Sequence, residues 1–493
     1  PVLVALLIGL LFAVTNLPWN LDNYDQAKQA FTPFEMVQTG HWLYQHTPNE
    51  MIATKPPLVG WISAAVFRLT GSWDAAWRLP SIAAAIALLI VLTRAAVQAY
   101  GATAGLLAMS ACGLNLLSAR LAALVRTDMP LGLVVFLIGL LIWQRVRAQD
   151  GRPQARTLRR ERWFMFILLT AAMMIKGPIV YAFLLPGIIV FQWRYRGTQI
   201  SAWCGWWPWV ASLVLFLLWV AGGIIWAPGF YEQVVLHEFA GRFSESVHRS
   251  QPVYFYLPHL LHKFGPWSVL MIALGILWWK KSRVEGARGN GKTMRQILPR
   301  SPEIAWLLFW GLGGVVVMSL VPSKRVDRIF PVVPPLCLLL AAQFARCVAR
   351  DDLVVRTRRW SGIALVLACL GTSAYAAGKI FDGFRSGDGA LVQFGAAVRA
   401  ETAAHGWRYE VIGGKEEGLL LYLRRPHFTS PDEAIALWNG GTLEALVAPA
   451  EEVPRLLSAL HQAAPAGLEA SITIKGQPCR YALLKKIPPP VSR

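Results

Sequence analysis
Eleven stretches of this 493-residue chain are apolar for long enough to cross roughly 30 Å of hydrocarbon, and that pattern limits the possible folds more than any other feature. They lie near residues 2–17, 80–98, 103–119, 129–146, 162–174, 177–193, 207–226, 266–279, 304–321, 329–346 and 360–378. Segments 162–174 and 266–279 fall short of the usual ~20 residues and need flanking Trp and Tyr to complete a crossing. With 55% hydrophobic residues, 15% charged residues and 22 Trp, the chain holds more apolar material than one soluble core uses, and a bilayer is the natural solvent for the excess. The stretch 2–17 is read as a retained first span because no small-residue cleavage site follows it.

The net charge of +20 invites a nucleic-acid reading, but the location of the charge excludes it. Lys and Arg concentrate in three short connectors, Arg145–Arg162, Lys280–Arg300 and Arg346–Arg359, and form no single aromatic-lined face. By the positive-inside rule these connectors face the cytoplasm. Residues 18–79, 120–128, 175–176, 227–265, 322–328 and everything after 379 then lie outside, provided that the helical stretch 58–71 rests at the interface. The six cysteines show no metal-like spacing and no disulfide framework.

Composition changes after about residue 380. Helix-like Leu391–His405, Glu416–Leu423, a helix from Asp432 and Ala450–Ala463 alternate with strand-like Tyr409–Ile412, Leu443–Val447, Ser471–Lys475 and Arg480–Leu484. Gly413-Gly414 follows a strand without completing a G-x-G-x-x-G, so no nucleotide site is expected. The expected fold is an all-α multi-pass membrane domain over 1–379, with juxtamembrane helices in the first outer loop. A small C-terminal α/β domain over 380–493 caps it.

Polar residues on the outer face carry the chemistry. The first outer loop holds Asp22, Asp25, Glu35 and Lys55, and the second places Asp128 where a span enters the membrane, a costly position unless the carboxylate is paired or functional. Carboxylates from two loops on one face can build a site for proton abstraction and substrate positioning. Lys55, Lys176, Arg242, Lys324, Arg325 and Arg328 share this face against the positive-inside trend, and a phosphate at the membrane surface supplies a reason. Loop 227–265 adds His237, Glu238, His248, Tyr254, Tyr256, His259 and His262. The histidine spacing fits no familiar metal pattern, and the aromatics read as an interfacial belt.

The ordered set Asp25-Gln26-Ala27-Lys28 with Glu35-Met36, Lys55-Pro56-Pro57-Leu58 with Trp61, Arg78-Leu79-Pro80-Ser81, Arg126-Thr127-Asp128-Met129-Pro130-Leu131 and Lys176-Gly177-Pro178 resembles bacterial glycosyltransferases of the protein-mannosyltransferase and aminoarabinose-transferase type, in the glycosyltransferase C superfamily. The likeness continues through Glu238–Phe243, Pro252–Trp267 and Ser323-Lys324-Arg325 with Pro331, and the C-terminal domain resembles the periplasmic domain of the lipid A aminoarabinose transferases. The resemblance implies an enzyme of the bacterial inner membrane, with its active site and C-terminal domain on the periplasmic side. It would move one sugar, with inversion, from a polyprenyl (undecaprenyl) phosphate to lipid A, another glycan or a protein.

By the same resemblance, Asp25 matches the acid that orients or deprotonates the acceptor, and Asp128 matches its second-loop partner. Lys55 and Arg242 match cations that hold the leaving phosphate, with Lys324 a further candidate. Asp22, Lys176, His237, Glu238 and Tyr256 are supporting candidates. Asp22 competes with Asp25, which keeps register with Glu35-Met36. Gln26 replaces the usual Glu, and Thr54 stands where an acid often precedes Lys-Pro-Pro, so no metal ligand is assigned and no cofactor is required. A divalent metal stays open. The expected partners are the lipid-linked sugar donor, the lipid or glycan acceptor and membrane lipids, with no nucleic acid. The competing reading is a transporter or flippase of a lipid-linked sugar. It lacks the internal repeats and mid-bilayer charges that such proteins commonly show.

Overall fold
The structure, a computed structural model, describes residues 2–19, 21, 24–148, 155–196, 203–242, 251–287, 301–385, 389–413, 417–474 and 477–487. In chain order, α1 (Val2–Val14), α2 (Tyr24–Thr39), α3 (Leu58–Thr70) and α4 (Trp73–Tyr100) are followed by α5 (Ala102–Gly113) and α6 (Leu116–Leu121). Next come α7 (Asp128–Arg147), α8 (Ala155–Lys176), α9 (Ile179–Arg194) and α10 (Trp207–Trp226), then a π-helical segment, Tyr231–Phe239. Helices α11 (Tyr256–Lys263), α12 (Trp267–Ala287), α13 (Pro302–Leu320), α14 (Val333–Val348) and α15 (Asp351–Arg385) complete the apolar part. The C-terminal stretch carries α16 (Ala390–His405), β1 (Tyr409–Val411), α17 (Glu417–Leu423), α18 (Pro431–Asn439), β2 (Ala445–Pro449), α19 (Val453–Ala459), β3 (Ala463–Ile474) and β4 (Gln477–Lys486). Two compact units result.

The first unit comprises Pro1–Asn16, Thr54–Val59 and Arg78–Gly378. Every expected apolar stretch falls on helix, as it must where no water is available to bond the backbone. Among the described residues, six helices are long and apolar enough to cross a membrane, and the pair α11–α12, bent by 97°, makes a seventh if it counts as one span. The chain is an integral membrane protein with several apolar spans. Helices α1, α5 and α9, at 13, 12 and 16 residues, are shorter than a straight crossing, so the structure does not carry the count of eleven. Segments 162–174 and 266–279, by contrast, lie on helices of 22 and 21 residues. Stretch 103–119 divides in two because the Asn115 side chain caps α6, accepting from the Ser118 N–H at 2.9 Å.

Small residues let helices in this unit approach backbone to backbone. A Cβ at Gly187 of α9 would lie 2.9 Å from Trp310 Cα of α13, and one at Gly313 would lie 3.0 Å from Gly187 N. Buried Trp306 donates from Nε1 to Gly139 O at 3.1 Å, and Trp267 donates to Leu114 O at 2.8 Å, so these rings enter the interior without an unsatisfied N–H. Helix α14 is buried from Val333 through Ala342, whereas α10 and α15 leave Leu217, Leu218, Val366 and Leu370 exposed, as helices facing hydrocarbon do. At one end, Arg147 of α7 pairs with Glu303 of α13 at 2.9 Å, Arg346 of α14 reaches the same carboxylate at 3.9 Å, and Arg145 meets Glu161 at 3.6 Å. The ends of the three basic connectors therefore gather at one end of the unit.

The second unit draws on Leu17–Ala53, Gly60–Trp77 and Lys379–Arg493. Its sheet has the order β1-β2-β4-β3, with β1 parallel to β2 and the other pairs antiparallel. Ile412, Trp438, Leu446, Leu456 and Leu484 form the core against it, and Trp438 Nε1 donates to His461 O at 2.8 Å. The fully buried α17 packs on α2 and α16. Leu21 N–H donates to the Tyr422 hydroxyl at 2.9 Å, and a Cβ at Gly418 would lie 2.7 Å from Leu21 O. The helix expected over Ala450–Ala463 stops at Ala459, and Ala463 begins β3. The Ala-rich segment gives no strand signal of its own. It is recruited by pairing with β4, through an irregularity between Pro465 and Glu469 that absorbs the proline and the left-handed Gly467.

Candidate active site
Helix α7 begins at Asp128, whose negative charge suits the positive end of the helix dipole, and α8 ends at Lys176, whose positive charge suits the opposite end. The two termini meet in an Asp128–Lys176 ion pair, with only 7% and 8% of the side chains exposed. Lys176 can sit there because Gly177, at φ 72°, ends α8 in the left-handed region with its N–H bonded to Met173 O at 2.7 Å. Arg126 and Arg328 add to the positive field on Asp128. Arg126 also donates to buried Asp327 at 3.0 Å, and Arg120 lies 3.6 Å from the same carboxylate.

Lys55, ahead of two prolines, pairs with Glu238 in the π-helical segment. Phe239, the next residue, lies against Gly177: a Cβ there would come 3.1 Å from its ring. The two lysine–carboxylate pairs thus belong to one neighbourhood. π-Helical turns recur at functional sites, where the wider turn re-aims side chains. Here exposed His237 and half-buried Glu238 diverge.

Lys324 is 6% exposed and donates to Gln251 O at 2.8 Å; the Gln251 N–H in turn donates to Pro322 O at 3.2 Å. Among the described residues no carboxylate lies within ion-pairing distance of its ammonium. Burial pushes the Lys324 pKa below its ordinary value. Tyr256 is fully buried, in the field of Arg328 and Asp128. This polar end lies opposite the arginine-rich one, because α7 runs from Asp128 to Arg147 and its 20 residues span about 30 Å.

Within the first unit the structure brings together Asp128, Lys176, Lys55, Glu238 and Tyr256. Lys324 is held by the 251–252 and 322–324 segments. Asp25, half-buried in the first turn of α2, belongs to the second unit. Asp22, His248 and the side chain of Arg242 lie outside the described residues, although Arg242 closes a 3-10 turn, Ala240–Arg242. Sequence reasoning passed over Asp327 and quoted its partner Arg126 only as part of a motif. The signal was present: an acid inside Ser-Lys-Arg-Val-Asp-Arg at the mouth of a span needs a buried partner.

Residues 54–226 match the family model described as dolichyl-phosphate-mannose-protein mannosyltransferase. The chain is 26% identical over 179 residues, 36% of its length and 29% of the relative's, to the undecaprenyl phosphate-alpha-4-amino-4-deoxy-L-arabinose arabinosyl transferase of Shewanella sediminis. It is 24% identical over 357 residues, 70% of its length and 60% of the relative's, to the Serratia proteamaculans protein of that name. These matches span less than two thirds of each relative. The fold is that of the crystal structure of ArnT from Cupriavidus metallidurans bound to undecaprenyl phosphate, with a TM-score of 0.63 at 18% identity, covering 98% of this chain and 97% of that one. The resemblance read from the motifs is borne out: the chain is similar to glycosyltransferase C proteins of the aminoarabinose-transferase type.

Proposed function
We propose that this protein is an inverting glycosyltransferase that moves one sugar from undecaprenyl phosphate to an acceptor such as lipid A, another glycan or a protein. The observation that carries the reading is Lys324: a buried ammonium with no carboxylate partner among the described residues, at the end of the unit that also holds Lys55, Lys176, Arg126 and Arg328. A phosphate monoester leaving group is the anion such a site lacks. The names of the curated relatives, and the undecaprenyl phosphate in the ArnT structure, favour transfer over transport or flipping.

In the proposed reaction the acceptor hydroxyl oxygen attacks the anomeric carbon, and its proton passes to the Asp25 carboxylate. The carbon–oxygen bond to phosphate breaks, and the leaving oxygen keeps the electron pair. Lys55, Arg242 and Lys324 neutralise the charge that develops there, which is where most of the rate gain arises in a partly dry site. Asp128 holds the Lys176 ammonium where the start of α7 meets the end of α8, and Glu238 and Tyr256 position Lys55 and the surrounding cations. None of these steps requires a metal.

The polar end faces the periplasm of the inner membrane, the basic connectors face the cytoplasm, and the spans number eleven. Purified protein incubated with a panel of undecaprenyl-phosphate sugars, led by the 4-amino-4-deoxy-L-arabinose donor, and lipid A or extracted envelope acceptors is expected to yield glycosylated product. No product with any donor from a correctly folded sample would sink the enzyme reading. Asp25→Asn should abolish turnover while undecaprenyl phosphate binding persists.

A further inference from the structure
The second unit contains a cluster that the transfer chemistry does not use. Glu35 lies in the last turn of α2, His41 follows the left-handed turn at Gly40, and His46 forms a β-bridge with Ile52. The bridge is secured by Ala53 N–H to Gln45 O and Thr47 N–H to Met51 O, each at 2.7 Å, while Trp61 Nε1 donates to Trp42 O at 2.7 Å. All three side chains thus project from restrained backbone and not from an open loop.

Their ligating atoms converge. His41 Nδ1 lies 2.5 Å from Glu35 Oε1 and 3.0 Å from His46 Nδ1, and His46 Nδ1 lies 3.5 Å from Glu35 Oε1. Thr39 Oγ1 is 2.9 Å from His41 Nδ1 and 2.7 Å from Glu35 Oε1. A ring nitrogen carries either one proton or one lone pair, so hydrogen bonding cannot satisfy three polar neighbours crowded on His41 Nδ1. Glu35 is 2% exposed, and its second oxygen is buried without a hydrogen-bond partner. A cation among the three atoms relieves the crowding at His41 Nδ1 and gives the buried Glu35 carboxylate a counter-charge. In a tetrahedral site with Zn–N and Zn–O bonds of about 2.0–2.1 Å, ligand atoms stand about 3.3 Å apart; the two separations from His46, 3.0 and 3.5 Å, bracket that value, and the Glu35–His41 pair at 2.5 Å would open on binding.

We propose that Glu35, His41 and His46 bind one zinc ion, with a fourth position open to water. Two imidazoles and one carboxylate form a donor set that suits a borderline divalent metal better than magnesium or calcium. Exposure of 49% of the His41 side chain and 30% of that of His46 gives the ion a way in, while buried Glu35 supplies the charge. The ion fastens the C-terminal end of α2 to the 40–53 segment, in the unit whose α2 carries Asp25 in its first turn. Its role is to hold that helix in place and not to carry the transfer, so the site stands or falls apart from the transferase reading.

The test uses the full-length chain in detergent, stripped with EDTA, re-equilibrated with zinc chloride alone and analysed by elemental mass spectrometry and zinc-edge X-ray absorption. The wild type is expected to retain about one zinc per chain more than His41→Gln/His46→Gln or Glu35→Gln, with imidazole in the metal's first shell. Affinity should fall by more than the ~10–100-fold typical of losing an outer-shell partner. Equal zinc content in wild type and variants, or a first shell without imidazole, overturns the proposal. His46→Gln alone, at a partly exposed position, decides the matter if the other variants fail to fold.

Discussion

Replacing Asp128 with Asn leaves the Lys176 ammonium buried without its carboxylate, and the structure fixes what that should cost. Both side chains are more than nine-tenths buried, and Arg126 and Arg328 act on the same carboxylate. Opposite unit charges even 4 Å apart interact by about 4 kcal/mol at an effective dielectric constant near 20. Breaking buried pairs from one side typically costs about 3–5 kcal/mol. Asn can still accept a hydrogen bond, but it sets no negative charge against Lys176, Arg126 and Arg328, all of which act on Asp128. The expected loss is therefore about 3–5 kcal/mol, a factor between about 10² and a few times 10³ in the folded ratio. Asp128→Asn/Lys176→Met removes both charges and should recover most of that loss, because a buried pair replaced as a whole is often neutral. Reversible unfolding in mixed micelles, followed by helicity, measures all three proteins. A single variant as stable as wild type, or a double variant no better than the single, would refute the reasoning.

Lys324→Met should weaken undecaprenyl phosphate binding by about 10–100-fold, the worth of one charge-assisted hydrogen bond, without lowering stability, since it removes a buried cation that has no carboxylate partner among the described residues. Unchanged affinity would take Lys324 out of the phosphate site. Gly177→Ala should destabilise by about 1–2 kcal/mol, because φ 72° strains any residue with a Cβ and the new methyl would meet Phe239 at 3.1 Å; thermal unfolding reads it, and no change would dismiss that turn as a constraint. In the second unit, Arg408 donates to Glu444 at 3.1 Å and its backbone N–H does so at 2.8 Å, which holds the carboxyl below its ordinary value. A lowered carboxylate stabilises the fold above its unfolded pKa and loses that contribution as pH falls through the folded one. The midpoint gap between wild type and Glu444→Gln should therefore be present at neutral pH and close under acid; a gap independent of pH would contradict the assignment.

Much of the helix and strand order was legible because burial writes itself locally: apolar runs became helices, and Tyr409, Leu446 and Leu483 sit on strands inside stretches that read as strands. Where local signals were weak, the reading failed. The 463–474 strand exists because β4 pairs with it, and the 103–119 stretch divides because Asn115 makes a cap that competes with continuing the helix. Asp327 was overlooked because its partner Arg126 is 201 residues away, and no periodicity records such a pairing. The convergence of Glu35 with His41 and His46 was missed for a related reason: their spacing matches no helical face, and the Gly40 turn and the bridge at Ile52 bring their polar atoms within 4.8 Å of one another.

Alone, the sequence determined that this chain resides in a membrane, which connectors carry the basic charge, and which acids and lysines stand at span ends. Each of these follows from transfer free energies that act residue by residue. Tertiary structure decided which charges cancel and which remain. Lys55 took Glu238 from 183 positions away, Lys176 took Asp128, and Lys324 was buried with a backbone carbonyl in place of a carboxylate. Electrostatic energy depends on distance and burial in three dimensions, so a candidate anion site becomes visible only once the fold shows which lysines have carboxylate partners among the described residues.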